Sequence, residues 1–272
     1  MALPSPAAAP AEITSPAGGF DVIAHSLREA VVAFYAVRGE TLDHAAGRLT
    51  LETNSSLVER RARPLVDLAL EQTGLESLQG FRVAGLGCGF GALSVYFACQ
   101  GARVTGLDPN GRRLEVGRAV AAGHGLDVEF IPGRMQSTEL PDGAFDLVVM
   151  NNSLCYIVKR ADRRAALAAS LRILRPGGLI ITRNPNRLHP RDQFSGLPLV
   201  QLLPPGMAGV VTQALGRGRS EVRLTSTQKA KREFRRAGFT EVSNARLRER
   251  GMPALERWAR YHHIAAAKPS TG

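Results

Sequence analysis

The sequence predicts a doubly wound α/β fold, a mostly parallel sheet with helices on both faces, and three observations carry that reading. Short apolar runs and helix-period segments alternate from residue 83 to residue 183. The stretch V-A-G-L-G-C-G-F-G at 83–91 joins an apolar run, too short for a helix, to the helical pattern 92–100 through alternating glycines. Seventeen residues after Gly91 the run V-T-G-L-D ends on Asp108, which sets a carboxylate at the end of a second strand beside that loop. A strand, a glycine loop and a helix N-terminus turn backbone N–H groups toward a polar ligand, and Asp108 can accept from both hydroxyls of a ribose. The unit reads as a nucleoside-cofactor site.

The elements follow in order. Residues 1–18, rich in Ala and Pro with neither a basic start nor an apolar core, read as a disordered tail rather than a secretory signal. Residues 19–268 read as one domain, opening with a helical cap over 19–78. Within the cap, 21–37 is apolar at helical spacing, and a second helix covers 56–73, with Pro64 as a kink or a restart. Strands are predicted at 83–86, 103–107, 128–131, 145–150 and 179–183, with helices at 92–100, 112–124 and 162–174 between them. Pro176-Gly177-Gly178 ends the last of these helices. The proline-broken stretch 184–224 is an insertion, because both of its flanks continue one fold. Ser226 caps a helix running to Ala237, with Gly238 as its stop, and strands at 240–247 and 261–267 bring the total to seven. His262 and His263 fall on the last strand, where alternation turns one inward and one outward.

Composition bounds the function. Three cysteines, Cys88, Cys99 and Cys155, are too few for a disulfide framework, and no Cys/His cluster has metal-ligand spacing, so no metal is expected. A reducing cytoplasm fits that usage. The longest apolar stretch, 197–211, is interrupted by three prolines and does not read as a membrane span. Residues 1–182 balance 18 Lys+Arg against 18 Asp+Glu, whereas 183–272 hold 17 against 6, which accounts for the net charge of +11. That excess suits an acidic partner. Arginine supplies 31 of the 35 cations in an Ala-rich chain, so compositional bias is the other reading.

Together V-A-G-L-G-C-G-F-G, L-D-P, the stretch L-P-D-G-A-F-D-L-V-V at 140–149, L-R-P-G-G at 174–178 and R-R-A-G-F at 235–239 resemble the class I S-adenosylmethionine-dependent methyltransferases. The likeness is to the subgroup acting on small molecules, lipids and glycans. It implies a Rossmann-like, seven-stranded sheet with the last strand antiparallel, and S-adenosylmethionine as cofactor. By the same resemblance Gly87, Cys88, Gly89 and Gly91 would pass the cofactor's methionine end, and Asp108 would hold its ribose. Arg134 and Met135 would flank its adenine, and Asn151, Asn152 and Ser153 would line the methyl-presenting side. Two positions depart from the family pattern: Gly85 and Arg134 stand where acids are usual, and each missing charge-assisted contact is worth about 1.5–3 kcal/mol.

The acceptor is expected to be a small molecule, lipid or glycan, with the insertion 184–224 on the acceptor side. His189, Asp192 and Tyr156 are the candidate bases for a hydroxyl acceptor. The apolar run 197–203, followed by Arg217, Arg219 and Arg223, extends the expectation to peripheral contact with an anionic membrane. No aromatic–basic interleaving suggests nucleic acid. Two alternatives stand beside methyl transfer. The absent acids suit a catalytically silent nucleoside-binding protein, and Gly87, Gly89, Ala92 and Asp108 also fit an NAD-dependent oxidoreductase, in which the 174–178 and 235–239 motifs have no role.

Overall fold

Three helices come first: α1 (Phe20–Ala36), α2 (Ala45–Thr53) and α3 (Val58–Thr73). The alternating unit follows as β1 (Arg82–Leu86), α4 (Ala92–Cys99), β2 (Arg103–Asp108), α5 (Gly111–Gly123), β3 (Val128–Pro132), β4 (Phe145–Asn151), α6 (Arg160–Ile173) and β5 (Leu174–Pro185). After it come α7 (Pro205–Ala214), α8 (Thr227–Arg236), β6 (Thr240–Asn244) and β7 (Tyr261–Ala267). The structure, a computed structural model, describes residues 19–217, 221–244 and 259–270. The expected tail at 1–18, Arg219 and the end of the expected sixth strand at 245–247 lie outside the described residues. No helix among the described residues is long and apolar enough to cross a membrane.

The seven strands form one sheet in the order β3-β2-β1-β4-β5-β7-β6. Every pairing from β3 through β5 is parallel, and β7 runs antiparallel to both of its neighbours. The chain winds outward through β1, β2 and β3, then returns to start again at β4 beside β1. That reversal leaves a crevice at the carboxyl ends of β1 and β4, where open α/β sheets bind ligands.

Both faces of the sheet are covered, which explains why its strands read as nearly continuous apolar runs. On one face Val83, Leu147, Val149 and Ile181 share a cluster with Ile23 and Leu27 of α1, Leu65 of α3 and Phe97 of α4. On the other, Leu86, Val148, Met150 and Ile180 meet Leu167 of α6 and Phe234 of α8. Each fully buried Leu, Ile or Phe of these clusters contributes about 1.5–3 kcal/mol. Glycine sets the fit at one place: a Cβ on Gly91, Gly106 or Gly117 would come within 2.5, 2.7 or 2.7 Å of the Phe130 ring. Asp146 lies at the opening end of β4, far along the strand from the crevice, and its role there is structural. Its carboxylate accepts from the Arg82 N–H and from the guanidinium groups of Arg82 and Arg175.

The helix α8 forms as its sequence predicts, with the Ser226 hydroxyl accepting from the Lys229 N–H. Other expectations are corrected. Helices α2 and α7 lie in stretches without a clear apolar period. Pro64 does not restart the helix, since α3 runs from Val58 to Thr73 through it; proline costs that helix one backbone bond. Strand β5 begins at Leu174 rather than 179, pairing Leu174 with Phe145 before a register shift lets the intervening Pro-Gly-Gly turn stand off the ladder. His262 and His263 do not divide between core and solvent. Both are buried, because β7 is an interior strand.

Burial, with Arg163 as a lesser cause, holds the pKa of His262 down at about 3, against 6.5 for a free histidine. The folded chain therefore keeps His262 neutral, while the unfolded chain takes up its proton below pH 6.5. Stability from this residue is complete above that pH and is lost as pH falls toward 3, by up to about 1.4 kcal/mol per pH unit. Thermal melts from pH 7 to pH 4 should show a declining Tm that is shallower in His262→Asn. Equal slopes for the two proteins would mean that other groups set the acid limit.

Candidate functional site

The crevice is built on backbone hydrogen bonds between the glycine loop and β2. The Leu107 carbonyl accepts from both Gly87 N (2.7 Å) and Cys88 N (3.0 Å). One residue on, the Asp108 carboxylate accepts from Gly89 N and from Asn110 N, each at 2.9 Å. The Asp108 carbonyl in turn accepts from Gly133 N at 3.0 Å, which ties the segment carrying Arg134 and Met135 to the same point. The sequence argument placed Asp108 beside the glycine loop, and the structure bonds the two directly. Each carboxylate oxygen keeps acceptor capacity after these bonds.

A cavity of ≈ 880 Å³ opens at the carboxyl ends of β1, β4 and β5. Gly87, Cys88, Gly89 and Asn151 stand on its wall; Gly91, Asp108, Arg134, Met135 and Ser153 do not. Arg134 is exposed. Ser153 and Met135 instead pack on the loop, close enough that a Cβ on Gly87 would overlap Ser153 Cβ and lie 3.0 Å from Met135 Cε. Ser153 Oγ and Asn152 Oδ1 are buried without a hydrogen-bond partner, and Asn152 also reaches the cavity wall. Cys88 is no nucleophile: burial first, then the Asp108 charge, pushes its thiol far above the usual range.

The three candidate bases separate. Only Tyr156 lines the cavity, half-exposed, with its ring edge-on to Phe194 at 6.0 Å. Burial, then Cys155, raises its phenol pKa further above 10, so it stays protonated near neutrality. His189 and Asp192 are off the wall. His189 Nδ1 lies 2.8 Å from the Arg191 carbonyl, and the Asp192 carboxylate accepts from Ser195 N (2.8 Å) and Ser195 Oγ (2.7 Å), which makes both of them turn-forming residues of the insertion.

Sequence reading missed the most conspicuous chemistry of the cavity. Arg60 and Arg61 of α3, Arg183 of β5 and Arg260 beside β7 all stand on the wall, and no Asp, Glu or His does among the described residues. The Arg183 guanidinium lies 3.5 Å from the centre of the Tyr261 ring and donates to Asn151 Oδ1 at 3.4 Å. Arg260 donates to Gln193 Oε1 at 2.6 Å. Burial, then the charge of Arg183, lowers the pKa of Arg61 to about 10. These arginines come from three distant parts of the chain, and no local motif announces them.

Comparison with known proteins agrees with this geometry. Residues 83–178 match a family model described as a methyltransferase domain. The ubiquinone biosynthesis O-methyltransferase of Methylobacterium sp. (strain 4-46) is 36% identical over 114 residues, which cover 42% of this chain and 45% of that protein. The chain thus spans about half the length of the curated relatives it matches. An S-adenosylmethionine-dependent methyltransferase from Mesorhizobium loti shares the fold with a TM-score of 0.54 and 21% identity, covering 77% of this chain and 97% of that one. The [4+2]-cyclase SpnF shares it as well, with a TM-score of 0.52 and 21% identity over 76% of this chain and 81% of its own. Residues 83–178 are thus similar to a methyltransferase domain, and the sheet around them has the fold of S-adenosylmethionine-dependent methyltransferases. Since a cyclase has the same fold, the reaction must be argued from residues.

Gly87 is the position where the loop has least room. Its φ is +73°, and an added Cβ would overlap Ser153. Gly87→Ala should cost about 1–3 kcal/mol in urea unfolding. Adding Ser153→Gly should recover the part due to overlap but not the part due to φ. No recovery would mean that backbone strain alone sets the cost.

Proposed function

We propose that this protein transfers a methyl group from S-adenosylmethionine to a hydroxyl of a small-molecule acceptor that carries negative charge. The observation that carries the reading is the Asp108 carboxylate, held against the glycine loop by Gly89 N at the point where the sheet order reverses. The name of the Methylobacterium relative supports an oxygen acceptor. An anionic group on the acceptor is supported by a cavity wall with four arginines and no carboxylate among the described residues.

The residues present fit the cofactor. Asp108 would take the ribose hydroxyls, the backbone of Gly87–Gly89 would run beside the methionine end, and the Met135 N–H would stand by the adenine. The unpartnered Asn152 Oδ1, on a residue of the cavity wall, would accept from a polar hydrogen brought to the methyl-presenting side. When bound, S-adenosylmethionine supplies a methyl carbon already activated by sulfonium charge. The work left to the protein is alignment and exclusion of water. Tyr156 and Phe194 would form the apolar side of the acceptor site, and Arg183 and Arg260 would orient its anionic group. With no Asp, Glu or His on the described wall, no protein base is assigned, and the hydroxyl proton would pass to the acceptor's own anionic group or to solvent as the O–CH3 bond forms and the S–CH3 bond breaks.

Calorimetric titration with S-adenosylhomocysteine should show saturable binding that Asp108→Ala weakens at least tenfold, a loss of about 1.4 kcal/mol. Binding of NADH and of neither sulfur nucleoside would overturn the proposal. Binding without any methylated product on incubation with S-adenosylmethionine and anionic acceptors would instead favour the silent protein.

The finer form of the proposal is a lipid-linked acceptor reached at an anionic membrane surface. It is supported by the exposure of Leu199, Leu202, Met207, Val210 and Leu215 along one stretch of the insertion. Co-sedimentation should show binding to anionic but not neutral vesicles, weakened severalfold in Leu199→Ser/Leu202→Ser. Indifference to both vesicle types would return the acceptor to the soluble class.

A further inference from the structure

A second concavity, of ≈ 690 Å³, lies between α6 and α8, away from the glycine loop. Arg160 and Arg164 of α6 and Lys229, Arg232 and Arg236 of α8 line it, together with Arg223. Two further charged groups on its wall, Arg163 and Glu233, are committed to each other at 2.7 Å, and Arg163 also donates to the Leu154 carbonyl at 2.6 Å. Among the described residues Glu233 is the one acid on the wall; it is bonded to Arg163 and also attracts Arg223 and Lys229, so one carboxylate stands against six further cations.

Ordinary surface arginines avoid this arrangement, spreading apart or finding acids. Here they are gathered into a recess, and Arg223 and Lys229 feel the result. Each has its pKa lowered by burial first and then by another cation of the cluster, Arg160 for Arg223 and Arg223 for Lys229. Arg223 spends one nitrogen on the Val158 carbonyl at 3.2 Å, while its Nε is buried with no hydrogen-bond partner. A buried donor left unsatisfied costs free energy that a bound acceptor would return. The guanidinium fork matches phosphate oxygens two at a time, and several phosphates are needed to balance six cations.

We propose that the α6–α8 groove is a binding site for a small polyphosphorylated molecule, separate from the cofactor cavity. Recess and composition favour a small ligand over a membrane. None of the exposed apolar side chains of the insertion lines the groove, and a flat bilayer would not reach the buried Nε of Arg223. The site accounts for part of the chain's excess charge without appeal to the methyl-transfer reaction, and it would stand if that reading failed.

Inorganic tripolyphosphate is the probe, titrated into the full chain saturated with S-adenosylhomocysteine. Saturable binding at one equivalent is expected, weakening as salt rises. Arg232→Gln/Arg236→Gln should weaken it at least tenfold while leaving affinity for S-adenosylhomocysteine unchanged. Arg160→Gln/Arg164→Gln, on α6, should do the same and covers the case in which the first pair fails to fold. Three results would overturn the proposal: no saturable binding, binding indifferent to both pairs of substitutions, or binding seen only when S-adenosylhomocysteine is left out. So would binding to phosphatidylglycerol vesicles that either pair abolishes while tripolyphosphate does not bind, since the groove would then be a membrane-facing surface.

Discussion

Two consecutive residues at the end of β2, Leu107 and Asp108, hold three separate loops in place. The Leu107 carbonyl takes two N–H groups of the glycine loop, the Asp108 carboxylate takes a third and the Asn110 N–H, and the Asp108 carbonyl takes Gly133. None of these bonds involves a long side chain, so little rotamer entropy is lost in making them. Asp108 is buried, and a buried carboxylate needs such donors in place of the water it has lost. The residue that sequence reading assigned to a ligand is thus also the residue that shapes the loop around that ligand. Removing its carboxylate would disturb loop and binding together, which is why the binding measurement must be read beside a fold measurement.

What was legible in the sequence was whatever depends on near neighbours. The alternation of short strands and helices, the glycine loop, Asp108, the Ser226 cap and the bounds of β7 all follow from patterns a few residues long. The less legible elements were those settled by tertiary packing. Helix α2 contains Gly47, whose place is taken up by the Leu42 backbone at 2.6 Å from a would-be Cβ, a contact that no local period predicts. The period-2 rule failed at His262 and His263 because it assumes one wet face, and an interior strand of a doubly covered sheet has none.

The cationic features were illegible for a different reason. Counting charges along the chain assigned the excess to residues 183–272, yet the two places where cations gather both draw on the balanced part of the sequence. Arg60 and Arg61 join Arg183 and Arg260 in the cavity, and Arg160 and Arg164 join Arg223, Lys229, Arg232 and Arg236 in the groove. A linear count registers net charge. Potential depends on which residues the topology brings together, and here parallel winding carries α3, β5 and the start of β7 to one end of the sheet.

The arginine wall also offers a physical reason for the missing acid at Gly85. A Cβ at that position would lie 3.0 Å from Ser94 Oγ, so a side chain there requires the buried Ser94 hydroxyl to give by a few tenths of an ångström. Without an acid, the described wall carries only positive charge, and any cation held at the loop is raised in free energy relative to a neutral group in the same place. Methyl transfer from a sulfonium converts such a cation into a neutral thioether. A positive wall therefore weakens ground-state binding and assists the step that discharges it, and a negatively charged acceptor restores neutrality only once it has entered. Under the proposed function, Gly85 and the four arginines would act as one electrostatic arrangement, trading cofactor affinity for preference for an anionic acceptor.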